Sequence, residues 1–312
     1  MKRLGGNFMN PLIYSISKKI LATILIFCIF IYATVFICLV PSSYTVKKVD
    51  GKWTATYPIK NVIKSVNDKV VSLSKGDYKV TANGKDLVEL VKIALKKSMK
   101  ILTGGLIIAV IFGIFKGIFD SRRGKNRDSS LKILLTIIPI SLPDVLIVAM
   151  LQAFAIWLIQ HGIRIFKVAG AGSWHHEILP IVALSILPAC YIARVTAMSI
   201  ESCYDKEYVK AAIGKGCSSR RILWNHVMRN AIGIIFESLS NITAMIITNM
   251  MIVEYMFSYP GITSMLMNSY RNYDRNTTIV TIIIIGIIYF LLDLFFQIMK
   301  KVAFRPLKED AA

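Results

Sequence analysis

The chain has 312 residues, of which 55% are hydrophobic and 18% charged, and a formal net charge of +20. That apolar share exceeds the roughly 45–50% of a soluble domain. It is gathered in runs of about 20 residues, enough to cross a bilayer core about 30 Å thick, so a soluble globular protein is excluded and spanning helices are expected. The basic surplus is assigned to lipid headgroups rather than to nucleic acid, because zinc-finger spacing and a compact basic fold are both missing.

Residues 1–19 carry Lys2, Arg3, Lys18 and Lys19 and no acid. The apolar run 20–40 is longer than the roughly 7–15 residues of a signal-peptide core. It ends in Pro41-Ser42-Ser43 and is read as the first span. Residues 41–100 form the largest polar segment, expected on the outer side. Asp50-Gly51 between short alternating runs predicts a hairpin. Lys75-Gly76-Asp77 and Asn83-Gly84 are further turn points. From Asp86 to Lys97 apolar residues fall at helical spacing, which predicts a helix lying along the interface before the chain re-enters.

Five more spans follow at about 101–119, 133–159, 178–199, 231–253 and 277–299. Lys116 lies near enough to the end of its span to snorkel. Pro139 and Pro143 interrupt the third span, where neighbouring groups re-satisfy the freed carbonyls. Six spans put both termini on one side. The segments 1–19, 120–132, 201–230 and 300–312 hold nineteen Lys and Arg. The two shorter loops opposite hold only Arg164, Lys167, Arg271 and Arg275. Both termini are therefore expected inside, and the lysines of 41–100 are discounted because long segments translocate largely regardless of charge. Cys28, Cys38, Cys190, Cys203 and Cys217 lie in spans or in the central loop, which argues against a disulfide framework or a CxxC metal pair.

The loop 201–230 is the least lipid-like inner segment. Lys206–Ile213 reads as a short amphipathic helix with Ala211 and Ala212 on its surface, ended by Gly214 and Gly216. Ser218 or Ser219 is expected to cap a second short helix running through Arg229. Together they would form a stiff knob. The residues Tyr208, Val209, Ala212, Lys215, Gly216, Arg221, His226, Arg229, Asn230 and Ala231, followed by Glu254, Phe257, Ser258, Pro260 and Gly261, resemble the permease subunits of ABC importers in the dipeptide, oligopeptide and nickel branch. Ala211, Ala212 and Gly216 keep the spacing of that family's EAA motif, and Lys210 stands where the name-giving glutamate would be.

The resemblance implies an all-α type I importer permease fold of six spans in a bacterial plasma membrane. It implies that Tyr208, Lys210, Ala211, Ala212, Lys215, Gly216, Arg221, His226 and Arg229 couple to a cytoplasmic ATPase. Expected partners are a second homologous permease, two ATPase subunits that carry ATP and magnesium, and an extracellular substrate-binding lipoprotein. No cofactor is expected on this chain, and the phosphate-cradling G-x-x-x-x-G-K-[ST] pattern does not occur in it. Import of peptides is the leading substrate reading, with nickel or a metal chelate as the alternative. The alternatives of another class are a stand-alone secondary transporter or channel, which would be supported by inverted repeats and leaves the central loop unexplained, and a membrane-anchored scaffold or sensor, whose polar loop need not be helical.

In the fifth span Glu237, Asn241, Met245 and Thr248 recur at helical spacing, with Ser238, Ser240 and Asn249 beside them. A polar stripe on a membrane helix either lines a water-filled path or serves as interhelical hydrogen-bond glue. The resemblance implies that this helix helps line the translocation route, so Glu237, Asn241, Met245, Thr248 and Asn249 are expected on that path. His175-His176 is the one pair that tempts a metal reading, yet adjacent side chains diverge and no second ligand cluster lies nearby in sequence.

Overall fold

The computed structural model describes residues 11–40, 45–49, 52–56, 59–76, 84, 86–121, 130–163 and 165–303. They form two compact units, Met1–Leu90 with Leu266–Leu294, and Val91–Met265 with Phe295–Ala312.

The first unit begins with α1 (Pro11–Leu39), whose apolar part is Leu21–Leu39. The expected hairpin is present as β1 (Thr45–Val49) and β2 (Lys52–Thr56), antiparallel, with Val49 paired to Lys52. A helix not expected from the sequence, α2 (Ile59–Ser74), follows. Val62, Val66, Val70 and Leu73 share one face and pack on Val35, Phe36 and Leu39 of α1 and on Ile279 and Ile283. That spacing is helical and was available in the sequence; the lysines and asparagines between obscured it.

In the second unit α6 (Ile178–Tyr204) and α9 (Met228–Met256) pack along one another. Before them lies α3 (Leu87–Asp120), one unbroken helix of 34 residues. The stretch 86–97, expected along the interface, instead runs directly into the span. α3 meets α6 through glycines. A Cβ on Gly113 would lie 2.8 Å from the Ala189 carbonyl oxygen, and one on Gly117 would lie 2.5 Å from that of Ala193. Only a hydrogen at these positions allows so close an approach, and the G-x-x-x-G spacing is a helix-contact signature. At the end of α3, Lys116 pairs with Asp120 at 2.7 Å and donates to Thr136 Oγ1 at 2.9 Å. The lysine expected to snorkel is thus held by a buried acid of its own helix.

The third expected span is two helices, α4 (Ser130–Ser141) and α5 (Asp144–Gln160), bent by 108° at the prolines. Pro143 cannot donate an N–H, and the residue before a proline resists helical ψ, so the chain turns sharply there. The described residues therefore hold five helices long and apolar enough to span, or six if the bent pair counts as one. Beyond α6 come α7 (Glu207–Gly214) and the one-turn α8 (Ser219–Arg221), which passes through a π-helical stretch at Ile222–Val227 into α9. The second short helix of the expected knob is thus the base of a continuous rod, Ser219–Met256. The last elements among the described residues are α10 (Ile262–Arg271) and α11 (Arg275–Ala303).

Candidate functional site

α7 owes its shape to two features. Val209 and Ala212 turn inward onto Ile200, Cys203, Ile222, Leu223, Val227, Met228 and Ala231. Its C-terminus closes as a Schellman motif, with the Gly216 N–H donating to Ile213 at 2.9 Å and the Cys217 N–H to Ala212 at 3.2 Å. Gly216 sits at φ 74°. A Cβ there would meet nothing within 4 Å, so conformation rather than space requires the glycine. Ser218 occupies the N-cap position of α8 without a side-chain cap bond, so the cap expected from its hydroxyl is not made.

Of the residues singled out, Tyr208, Lys210, Ala211, Lys215, Gly216, Arg221 and Arg229 are exposed, and His226 is half-buried in the π-helical stretch. Ala212, expected on the surface, is buried. It faces the core, because α7 has one apolar face and Val209 lies one turn before it. α7 also leaves the apolar Ile213 52% exposed, on a different side of the helix from the exposed Ala211. Asn230 Nδ2 donates to the Tyr208 hydroxyl at 2.6 Å, tying α7 to the base of α9. Partial burial pushes the Tyr208 phenol above its ordinary pKa, so it accepts this bond in its neutral form.

The polar stripe of α9 divides. Glu237, Asn241 and Thr248 are exposed and Met245 is half-buried, whereas Asn249 and Ser238 turn into the unit. Ser238 donates to the Ile235 carbonyl at 2.7 Å. Glu237 pairs with Lys300 at 2.9 Å, and its side chain keeps 68% of its exposure. These residues therefore make one outward polar face rather than a single stripe that includes Asn249.

At the other end of α9, a second polar centre gives structural meaning to Glu254 and Gly261. Glu254 is fully buried. Its carboxylate accepts from Ser98 Oγ at 2.5 Å, from Thr263 Oγ1 at 2.5 Å, and from the N–H groups of Thr263 and Ser264 at 2.9 and 3.0 Å. Ser98 Oγ in turn accepts from the Ile262 N–H at 2.7 Å. The acid thus neutralises the open N-terminus of α10 and ties it to α3. Gly261 is needed because a Cβ there would overlap the Glu254 carboxylate. Tyr259 is buried alongside, and burial, with the nearby Glu177 and Glu254 charges, pushes its phenol far above its ordinary pKa. Gln152 Nε2 of α5 donates to the Met256 carbonyl at 2.9 Å, meeting an end carbonyl of α9. The sequence signal for this centre was an acid near a span end followed seven residues later by glycine; its partner Ser98 gave no signal at all.

His175 and His176 are engaged separately. The Ile165 carbonyl lies 2.8 Å from His175 Nδ1, and Ser173 Oγ lies 3.0 Å from His176 Nδ1. Among the described residues no group of three His, Cys, Asp or Glu is gathered as metal ligands would be.

The chain is similar to several peptide permeases. It is 29% identical over 199 residues to the dipeptide transport system permease protein DppB of Bacillus subtilis, an overlap of 62% of this chain and 63% of that protein. It is 25% identical over 255 residues to the peptide transport system permease protein SapB of Haemophilus influenzae, covering 73% and 79%. Its fold matches the inward-facing MetNI methionine ABC transporter with a TM-score of 0.57 at 14% identity, over 70% of this chain and 98% of that one. Residues 105–305 match the family model of the binding-protein-dependent transport system inner membrane component. A multi-pass helical membrane protein of this fold, matched by the family over that span, belongs to the binding-protein-dependent transport system inner membrane components.

Proposed function

We propose that the chain is the permease subunit of an ATP-driven importer, and that α7 is the element through which a separate cytoplasmic ATPase acts on it. The observation carrying this reading is the joint between α7 and α9. An exposed patch of Tyr208, Lys210, Ala211, Ile213 and Lys215 stands on a helix whose other face is packed into the bases of α6 and α9. Force applied to that patch cannot be absorbed by rocking α7, because its apolar face is committed and its end is closed by the Schellman bonds. The patch is therefore coupled to the rods that cross the membrane. Arg221 and Arg229 extend it with positive charge, and His226 packs within the π-helical stretch that joins it to α9.

Both termini lie inside in this reading, which puts α7 where nucleotide is available. The outward polar face of α9 lines the translocation path. An exposed carboxylate about two turns inside a span is expensive against lipid, so Glu237 faces water or another protein surface. A second, homologous permease supplies the other half of that path, two ATPase subunits bind ATP and magnesium, and a substrate-binding lipoprotein delivers the cargo. Peptides are the proposed substrate class, on the strength of the named relatives.

The test is Gly216→Glu in the assembled transporter. Glutamate at φ 74° opens the end of α7 and adds an acid to the patch. ATP-coupled uptake should fall to background while membrane insertion is retained. Uptake at the unmodified level would remove α7 from the coupling route.

A further inference from the structure

We propose that α2 is an in-plane anchor that binds anionic lipid headgroups in the leaflet at the Leu39 end of α1. The helix is amphipathic, and three contacts fix its depth. Its buried face lies on the last turns of α1, at Val35, Phe36 and Leu39, and on the early turns of α11, at Ile279 and Ile283. Lys69 Nζ donates to Asn276 Oδ1 at 2.6 Å, at the start of α11. Tyr32 OH donates to Asn67 Oδ1 at 3.3 Å, and Tyr32 lies seven residues before the end of the apolar run of α1. Seven residues of helix span about 10 Å. The middle of α2 is therefore held no higher than the headgroup region, at the depth where amphipathic helices rest on bilayers.

What α2 leaves uncovered fits that level. Ile59 and Ile63 are 58% and 42% exposed and flank the buried Val62 and Val66. At 100° per residue Ile63 lies at the edge where the packed face ends, and Ile59 lies in line with that face at the first residue of the helix, so the two continue the apolar surface that α1 presents to lipid. The next strip around the helix carries Lys60, Lys64 and Val71, and Lys75 continues it in the turn just past the helix end, all of them exposed. An apolar edge beside a row of lysines reaches acyl chains with one and phosphates with the other. A soluble partner at this depth would have to displace lipid first, which is why the bilayer is the occupant assigned here.

The experiment uses the full chain in nanodiscs containing phosphatidylglycerol. In Ile63→Trp, the added indole emission should be strongly quenched by lipid brominated near the carbonyl end of its acyl chains and little affected by aqueous iodide. Quenching by iodide and not by brominated lipid would overturn the proposal. So would an indole that becomes shielded only when a soluble binding protein is added, which would make α2 a protein dock. The combined variant Lys60→Gln, Lys64→Gln, Lys75→Gln changes only exposed positions. It should lower the apparent affinity for phosphatidylglycerol by about fivefold per lysine at low salt. An unchanged affinity would rule out the headgroup contact.

Discussion

At the scale of single residues, the molecule places its most demanding polar group, Glu254, where four donors converge. The cost of a buried polar group depends on whether it is partnered, so the prediction is asymmetric. Glu254→Leu strands Ser98, Thr263 and the first N–H groups of α10. It should cost about 3 kcal/mol or more, read as a lower midpoint of thermal unfolding in detergent. Glu254→Gln keeps one acceptor oxygen and should cost less. Gly261→Ala should resemble Glu254→Leu, because its methyl displaces the same carboxylate. Tyr259 gives a pH dependence. Its phenol ionises at higher pH in the fold than in the unfolded chain, so the folded state binds the extra proton above about pH 10. Its contribution is complete below that pH and is lost as pH rises further. Tyr259→Phe should flatten the alkaline fall in stability, measured as unfolding midpoint between neutral pH and the alkaline limit. The sequence displayed Glu254 and Gly261 as part of a recognisable pattern, yet it could not display why, since Ser98 is 156 residues away.

At the scale of elements, contact between α3 and α6 rests on the absence of side chains. Gly117→Leu places atoms where the Ala193 carbonyl and Thr196 already lie. Overpacking of this kind typically costs about 1–3 kcal/mol. Reduced thermal stability, with Cys190 of α6 more accessible to thiol labelling, is the expected outcome; Ile107, exposed on α3, is a site whose equivalent substitution Ile107→Leu should leave both unchanged. The end of α3 makes the opposite kind of demand. Asp120 is buried and accepts from Lys116 and Thr136, so Asp120→Ala leaves a cation without its acid. A loss of about 2–3 kcal/mol is expected, below the ~3–5 kcal/mol of a fully buried pair because Lys116 is part-exposed. Helix positions were legible from apolar run length, but breaks were not. Two prolines were compatible with a kinked span or with the 108° turn that occurs, and propensity does not choose between them.

At the scale of the whole molecule, the proposed coupling would work through a rod and a handle. The rod would be Ser219–Met256, which carries the π-helical stretch at its base and the polar face in its middle. The handle would be α7. If the energy comes from separate subunits, the chain purified and reconstituted alone should show no substrate accumulation, and adding the ATPases, partner permease and binding protein should restore it. Accumulation by the lone chain would favour the stand-alone transporter. Leucine at both Glu237 and Asn241 tests the polar face in the same assembly: lost uptake with unchanged thermal stability is expected, and the reverse would assign these residues to packing.

The amino-acid sequence by itself determined that this is a membrane-spanning helical protein, because run length and the cost of unsatisfied backbone in lipid leave few alternatives. It also determined the family, through polar residues at fixed spacing between the runs. Tertiary structure alone decided that Ala212 faces inward while Ile213 faces out, that the third apolar stretch breaks into two helices, and that Ser98 meets Glu254. The division has a physical cause. Lipid reads composition along the chain, whereas packing and hydrogen bonding read which distant residues arrive together.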